Sequence, residues 1–391
     1  MPPRWRERAV NKAVPAPLGS LSAEEFLAEY WQKKPCLIRN AFPDFKPDIE
    51  GDDLAGLACE PMAEARIISG AYPEHNWTLQ QGPFEEADFA RLPETDWTLL
   101  VQDVEKHYPP LFELLEQFHF LPTWRLDDLM ISWAAPGGSV GPHVDQYDVF
   151  LLQAQGRRTW QVARDYDPAL LEHCELNVLR SFSPEREWTL EAGDMLYLPP
   201  GVAHHGVAVT AGMTWSIGAR APDAADLLMA LGESLSGDTI PRYTNADLHV
   251  TDSAGEIDTR AIERLRALMA APLQDDDRFR AFAASFFSRF RLAHEPAPPE
   301  GGLCAQEVTE RLHKGELIFR NPWSRFAWVK RDTNADLFVS GQRFVCTISL
   351  AKALCASQQP SLPWSELTKN DLDTLMQLIQ TGNLVLANQT G

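Results

Sequence analysis

Two histidines and one aspartate carry the chemistry that this sequence suggests. His143 and Asp145 form a His-x-Asp pair within residues 141–146, and His204 follows a Pro-Pro-Gly turn at residues 199–201. Two imidazoles and one carboxylate are the ligands of the facial triad, which leaves half of the coordination sphere of a non-haem iron open. The pattern therefore predicts an Fe(II) oxygenase.

The spacing of these residues indicates the strands that must position them. Side chains at i and i+2 of a strand share a face, so His143 and Asp145 can reach one metal ion. Residues 191–201 read as a turn, a short apolar strand and a second turn, which would deliver a histidine at its end. His205 faces away from His204, so only one of the two can be a ligand, and the position directly after the turn favours His204.

The remaining histidines have no partner at ligand spacing and are interpreted as ordinary residues. They are His75, His107, His119, His173, His249, His294 and His313.

An iron site with open coordination positions binds O2 and a co-substrate that chelates the metal. The most common such co-substrate is 2-oxoglutarate. Its distal carboxylate requires a buried cation. Arg157 and Arg158 lie one strand beyond the His-x-Asp pair, and a guanidinium can bind a carboxylate bidentately. We expect one of them to point inward and the other into solvent. Ser132, on the preceding strand, is a candidate hydroxyl for the same site.

The composition restricts the class of protein. The 391 residues are 45% hydrophobic, which is enough for two or three domains with substantial cores. No transmembrane run and no secretory signal is recognised, and the six cysteines are scattered without CxxC pairs, which favours reduced thiols and a cytoplasmic location. A net charge of −20 opposes nucleic-acid binding and favours a basic protein as macromolecular substrate.

The first half of the chain predicts helices followed by an extended β region. Ser22 and Glu25 form a capping-box pattern at the start of a helix, and residues 36–39 read as a strand. Leucines within residues 111–118 have helical spacing. Residues 128–220 contain several short strands separated by glycine and proline turns, which predicts a barrel or jelly roll.

The pattern changes at Pro222. Three helices are predicted, the last of them with a phenylalanine stripe at residues 279–290 that is interpreted as helical core, in part as a homodimer surface. Residues 294–302 read as a proline-rich linker. The module that follows resembles a winged helix, with Asn370 and Asp371 expected to cap its last helix. It shows no basic recognition helix, which favours a protein-interaction or structural role over DNA binding.

Residues 127–162, 193–206 and 218–222 resemble the bacterial JmjC ribosomal oxygenases. The resemblance implies an α+β chain: a JmjC double-stranded β-helix of the jelly-roll or cupin type, then a helical dimerisation region and a C-terminal winged-helix-like domain. The expected domains are residues 1–221, with the jelly-roll core at about 128–220, residues 222–295 and residues 303–391.

The resemblance also implies an activity and its residues. The activity is Fe(II)- and 2-oxoglutarate-dependent hydroxylation of an arginine, at its β-carbon, in the sixteenth protein of the large ribosomal subunit. The implied metal ligands are His143, Asp145 and His204, and the implied co-substrate residues are Arg158, Ser132 and Thr214, the last at a position where the family often has asparagine. His205, where the family often has an acidic residue, is interpreted as a surface variation. The expected assembly is a homodimer that binds neither nucleic acid nor membrane.

Two other functions fit the same features. One is a JmjC or cupin oxygenase that acts on a different residue, such as histidine, or on another substrate. The other is a cupin and winged-helix scaffold without catalytic activity.

Overall fold

The computed structural model describes residues 17–74, 76–235, 241–250, 253–289, 296–299, 301–314 and 316–387. The chain divides between Ala221 and Pro222 into two compact units. Each unit has its own hydrophobic core in these ranges. No helix of the described ranges combines the length and the apolar character needed to cross a membrane.

The first unit is mainly β. Its helices and strands, in chain order, are α1 (Ala23–Glu29), β1 (Cys36–Ile38), α2 (Gly51–Ala58), β2 (Ala65–Ser69), β3 (Thr78–Gln81), α3 (Glu86–Phe89), β4 (Trp97–Val101), α4 (Val104–His107), α5 (Phe112–Glu116), β5 (Leu126–Ala134), β6 (His143–Val144), β7 (Val149–Gln155), β8 (Arg158–Ala163), β9 (Arg186–Leu190), β10 (Met195–Leu198), β11 (Ala203–Ala208) and β12 (Gly212–Ala219).

These strands form two antiparallel sheets. Among the described residues, eight strands form one sheet in the order β1-β10-β7-β12-β5-β4-β2-β3, and four form the other in the order β6-β11-β8-β9. Sequentially distant strands are neighbours in both sheets, as in a jelly roll. The predicted jelly roll is therefore confirmed, and β1 shows that a segment near the N-terminus extends the larger sheet.

The start of α1 follows the predicted capping box. The Ser22 hydroxyl accepts the Glu25 N–H at 3.1 Å, and the Glu25 carboxylate accepts the Ser22 N–H at 2.9 Å. These two bonds satisfy N–H groups that a helix start leaves without partners. Phe26 then packs against Phe150 and Tyr197, which places α1 on the outer face of the larger sheet.

One apolar cluster fills the space between the two sheets. Val149 and Leu151 of β7 pack there with Trp160 and Val162 of β8. Because side chains alternate along a strand, Gln153 on β7 and Arg158 on β8 face the same interior space. The interior is therefore apolar at the level of this cluster and polar farther along the same strands.

The second unit combines helices with two small sheets. Its helices and strands are α6 (Ala224–Ser234), α7 (Thr259–Gln274), α8 (Asp276–Phe287), α9 (Ala305–His313), β13 (Leu317–Arg320), β14 (Phe326–Lys330), β15 (Ala335–Val339), β16 (Gln342–Cys346), α10 (Ile348–Ala356), α11 (Lys369–Gln380) and β17 (Leu384–Ala387). β13 pairs with β17, and β14, β15 and β16 form an antiparallel sheet against which α8 packs. The small sheets with α9, α10 and α11 agree with the winged-helix-like domain that the sequence predicts for residues 303–391, whereas α8 lies before these bounds.

The cap of α11 and the phenylalanine stripe of α8 differ in part from what the sequence predicts. Thr368, rather than Asn370, caps α11, because its hydroxyl accepts the Asp371 N–H while the Asp371 carboxylate accepts the Thr368 N–H. In the phenylalanine stripe Phe282 is buried, whereas Phe279 is 41% exposed, so the stripe is core on one side only. Phe290 and residues 294, 295 and 300 of the predicted linker lie outside the described residues.

A buried acidic residue on α4 contacts β5 in the first unit. Glu105 is 1% exposed, and its carboxyl group accepts the Leu129 N–H at 3.0 Å, while the Lys106 ammonium lies 3.6 Å from its other oxygen. Burial raises the pKa of Glu105 to about 8 against the opposing effect of Lys106. Glu105 is therefore largely protonated near neutral pH.

The raised pKa of Glu105 predicts a pH-dependent stability. Between pH 4.5 and about 8 the unfolded chain ionises Glu105 while the folded chain does not, so rising pH lowers the stability of the wild type. Glu105→Gln keeps the shape without this penalty. We expect the variant to gain up to about 1.4 kcal/mol per pH unit over the wild type in this window. Urea denaturation at several pH values checks this, and parallel profiles for the two proteins would contradict it.

Candidate metal centre

The three predicted ligand residues converge in the first unit. The ligand atoms of His143, Asp145 and His204 all lie within 4.8 Å of one another. The Asp145 carboxylate is 3.6 Å from Nε2 of His204 and 3.9 Å from Nε2 of His143. The His143 and Asp145 side chains are 23% and 22% exposed, whereas His204 is 3% exposed, so the group is accessible from one side.

Strand pairing explains this convergence. β6 and β11 are antiparallel neighbours, and His143 lies directly opposite His204 in their register. The two ring centroids are 4.2 Å apart. Asp145 follows β6 directly, and its backbone carbonyl accepts the Gly201 N–H at 2.8 Å. Gly201 has a φ of +76°, which glycine adopts without strain, so the Pro-Pro-Gly turn both leads into β11 and anchors Asp145.

Backbone carbonyls orient both imidazoles. Nδ1 of His143 lies 2.9 Å from the Gly141 carbonyl, and Nδ1 of His204 lies 3.0 Å from the Val202 carbonyl. A ring that donates through Nδ1 presents the lone pair of Nε2, which is the atom that faces Asp145. Burial, reinforced by His143, lowers the pKa of His204 to about 4, so this imidazole is neutral at physiological pH.

This group fits a divalent transition metal. Two imidazoles and a carboxylate can supply metal ligands on one side of the metal. The outward hydrogen bond of each ring is the support that metal-bound histidines usually have. Among the described residues, no second His, Cys, Asp or Glu group has ligand atoms this close. His75 and His294 lie outside the described residues, as does the side chain of His313.

His205 lies on the opposite face of β11 and is not part of the group. It was expected to be a surface residue, and this expectation is wrong, because His205 is only 6% exposed. The rings of Tyr72 and Phe182 cover it at centroid distances of 5.6 and 6.1 Å, and the Tyr72 hydroxyl accepts the Phe182 N–H. Burial, with a contribution from Arg158, lowers the pKa of His205 to about 4.

Arg158 is a buried cation in the interior between the sheets. It is 4% exposed, and its guanidinium lies over the Trp160 ring and donates to the Gly206 carbonyl at 3.1 Å. A Cβ at Gly206 would come within 2.7 Å of its Nε, so glycine makes room for the guanidinium. That Nε has no hydrogen-bond partner in the described part of the chain, and no described carboxylate contributes to the electrostatics of the guanidinium. A buried guanidinium without a carboxylate partner favours an anionic ligand.

Arg157 is exposed, as expected for one of the two arginines.

Ser132 and Thr214 are cross-strand neighbours on β5 and β12. The Ser132 hydroxyl donates to the Thr214 carbonyl at 3.2 Å, and the Thr214 hydroxyl donates to the Gln153 side chain at 3.1 Å. Their register places these side chains on the interior face of the larger sheet with Gln153. Gln153 was not predicted as a site residue, although an amide within the apolar run 149–154 is a signal of a buried polar site.

Comparisons with protein families define the class. Residues 113–227 match the JmjC domain family, and residues 271–384 match the ROXA-like winged helix family. Together with the jelly roll and the two-histidine, one-carboxylate group, these matches make the chain an enzyme of the JmjC oxygenase class.

Individual relatives identify the family within this class. The chain is 35% identical to the ribosomal protein uL16 3-hydroxylase of Escherichia coli over 309 residues, which are 77% of this chain and 80% of that one. It is 40% identical to a probable ribosomal oxygenase of Haemophilus influenzae over 212 residues, about half of each chain. The crystal structure of E. coli YcfD superposes with a TM-score of 0.83 at 31% identity, covering 94% of this chain and 99% of YcfD. The chain belongs to the JmjC ribosomal oxygenases.

The two neighbouring histidines of β11 provide a test of the metal centre. We expect His204→Ala to weaken Co(II) binding by more than about 100-fold, since replacing even an indirect partner of a metal ligand costs 10- to 100-fold. His205→Gln, a change on the opposite face, should bind Co(II) like the wild type. Anaerobic titration followed by the visible absorption of Co(II) measures both. Equal weakening in the two variants would contradict the assignment of His204 alone.

Proposed function

We propose that this chain is an Fe(II)- and 2-oxoglutarate-dependent hydroxylase of ribosomal protein uL16 that acts on the β-carbon of an arginine. The observation that carries the oxygenase chemistry is the convergence of His143, Asp145 and His204, with the buried cation Arg158 in the same unit. The substrate rests on the similarity to the E. coli uL16 3-hydroxylase. A crystal structure of YcfD with cobalt and 2-oxoglutarate, at a TM-score of 0.79, supports the cofactors.

The residues of this chain have distinct tasks in the proposed reaction. His143, Asp145 and His204 hold the metal through two imidazoles and a carboxylate. Fe(II), when bound, supplies the chemistry by which 2-oxoglutarate and O2 convert a substrate C–H bond to C–OH. Arg158 binds the distal carboxylate of 2-oxoglutarate, with Ser132 and Thr214 as further contacts. Burial of Arg158 excludes water from this ion pair, which strengthens it.

The charge of the chain suits the proposed substrate. A net charge of −20 attracts a basic ribosomal protein and accelerates the encounter at low ionic strength. The same charge repels nucleic acid, so we propose that recognition involves the ribosomal protein rather than RNA. We place the protein in the cytoplasm, where its six free cysteines remain reduced.

We also propose that the second unit contains a dimerisation region at residues 222–295 and a winged-helix domain at residues 303–391, following the jelly-roll domain at residues 1–221. On α7, Ile262, Leu265, Met269 and Leu273 are between 42% and 72% exposed. Their spacing of three and four residues forms one apolar stripe along the helix. An apolar stripe of this length is typical of a protein interface, and a second copy of the chain is the proposed occupant.

The activity is tested by mass spectrometry of peptides from basic large-subunit ribosomal proteins, incubated with the enzyme, Fe(II), 2-oxoglutarate and ascorbate. We expect one arginine of the uL16 peptide to gain the mass of one oxygen atom. Asp145→Ala should abolish the product, because it removes the carboxylate ligand. Arg158→Gln should raise the KM for 2-oxoglutarate by about 10- to 100-fold, as expected for loss of a charge-assisted contact of 1.5–3 kcal/mol.

The assay separates the alternatives. A product on histidine would keep the oxygenase and replace the substrate residue. Production of succinate without any peptide product would keep the chemistry and contradict the ribosomal substrate. Metal binding with neither product would favour the scaffold.

The dimer is tested by light scattering coupled to size-exclusion chromatography. We expect the wild type to have twice the mass of one chain. The double variant Leu265→Lys/Met269→Lys should be monomeric, because it places charges on the apolar stripe. Glu263→Lys, a change at an exposed polar position of the same helix, should remain dimeric. A monomeric wild type would contradict the proposal.

A further inference from the structure

Asp148 is a fully buried carboxylate close to the metal centre in sequence. It lies three residues after Asp145, between β6 and β7, and is 0% exposed. One carboxylate oxygen accepts the Tyr197 hydroxyl at 2.6 Å. The other accepts the Gln32 side-chain amide at 2.9 Å and the Arg125 guanidinium at 3.0 Å.

The partners of Asp148 come from three separate parts of the first unit. Gln32 follows α1, Arg125 precedes β5 and Tyr197 lies on β10. Tyr197 is itself bound twice, because its hydroxyl oxygen also accepts the Gln32 N–H at 2.7 Å. The Arg125 guanidinium stacks over the Trp31 ring at 5.6 Å. The carboxylate is therefore the centre of a hydrogen-bonded group that joins the residues after α1, the residues before β5 and strand β10.

A buried charge of this kind is not explained by stability alone. Taking a carboxylate out of water costs several kcal/mol, and even a well-paired buried ion pair is often no more stable than apolar side chains of the same volume. What such a pair does provide is one geometry, because only one arrangement satisfies all the donors. Some part of the fold near Asp148 must therefore require this fixed arrangement.

The segment held by Asp148 is the one that carries the Asp145 ligand. Asp145 is tied by its carbonyl to the Gly201 N–H at 2.8 Å, and Asp148 is tied by its carbonyl to the Ala219 N–H at 2.9 Å. Residues 145–148 thus have a backbone anchor at each end, and the Asp148 carboxylate adds a side-chain anchor at the second. A metal ligand on a short connection between strands needs such support to keep its carboxylate in place.

We propose that Asp148 is a positioning residue of the metal centre, which fixes the segment from which the Asp145 carboxylate reaches the metal. This inference rests on the proposed function to the extent that a metal binds at His143, Asp145 and His204. Asp148 does not touch the metal. It acts through the backbone of residues 145–148. Through Asp148, the packing of α1 and Gln32 therefore also affects the metal site.

Asp194 provides a matched control in the same unit. It is also a buried aspartate, 8% exposed, whose carboxylate pairs with Arg39 at 2.6 Å and accepts the N–H groups of Asn40 and Glu191. It lies in the turn before β10, and its side chain bonds to Arg39, Asn40 and Glu191 rather than to residues 143–148 or 201–204. Removing its charge should lower stability in the same way as at Asp148 without changing the metal site.

The test is anaerobic titration of the full chain with Co(II), followed by visible absorption. Asp148→Asn has the same shape but no charge, and its NH2 group replaces one of the two acceptor oxygens. We expect its dissociation constant for Co(II) to rise about 10-fold or more, with an altered absorption spectrum, because the Asp145 ligand is no longer held in place. Asp194→Asn should match the wild type in both measurements.

The outcomes separate this inference from the proposed function. If the wild type does not bind Co(II), the proposed metal centre fails, and the inference with it. If the wild type binds and Asp148→Asn has the same affinity and spectrum, the inference alone is overturned. If circular dichroism shows that Asp148→Asn is unfolded, Tyr197→Phe decides, because it removes the hydroxyl with its bonds to Asp148 at 2.6 Å and from the Gln32 N–H at 2.7 Å and leaves the Gln32 and Arg125 bonds of the carboxylate in place. A rise of about threefold in its dissociation constant supports the inference, and an unchanged constant overturns it.

Discussion

The pairing of β6 with β11 is the constraint on which the site depends. It places His143 directly opposite His204, although some sixty residues separate them in the chain. β6 has only two residues, so its own pairing energy is small, and neighbouring elements must hold it. β8 pairs with β11 on the other edge, and the Gly201 N–H binds the Asp145 carbonyl. A one-residue slip would turn His204 away and bring His205 towards the metal centre.

The interior between the two sheets sets the electrostatics of the site. Burial lowers the pKa of His204 and leaves its imidazole neutral, as a metal ligand must be. The same burial lowers the pKa of Arg158 to about 10 and makes an anionic partner favourable. The low-dielectric interior therefore opposes protonation of His204 and favours a carboxylate beside the Arg158 guanidinium. Both effects suit an oxygenase that uses a dicarboxylate co-substrate.

Several features could be predicted because they depend on nearby residues. Local spacing predicts the capping box of Ser22 and Glu25. It also predicts the β strands from residue 126 onward and the apolar residues within each strand. The histidines and Asp145 were recognisable because few residue types bind a metal. Gln153, Asp148 and Tyr197 were missed, since a polar residue in an apolar run does not reveal its partner. His205 was misjudged because its covering residues, Tyr72 and Phe182, belong to segments distant in the chain.

The sequence by itself therefore determined the types of donor present, the alternation of side chains along each strand and the acidic charge of the chain. These properties follow from residue identity and from the two-residue period of a strand. Only the tertiary structure decided which residues are buried, how β6 and β11 align and which groups surround Asp148 and Arg158. Burial and register arise from contacts between distant segments, and it is these contacts that convert ordinary side chains into a group of metal ligands and a buried cation.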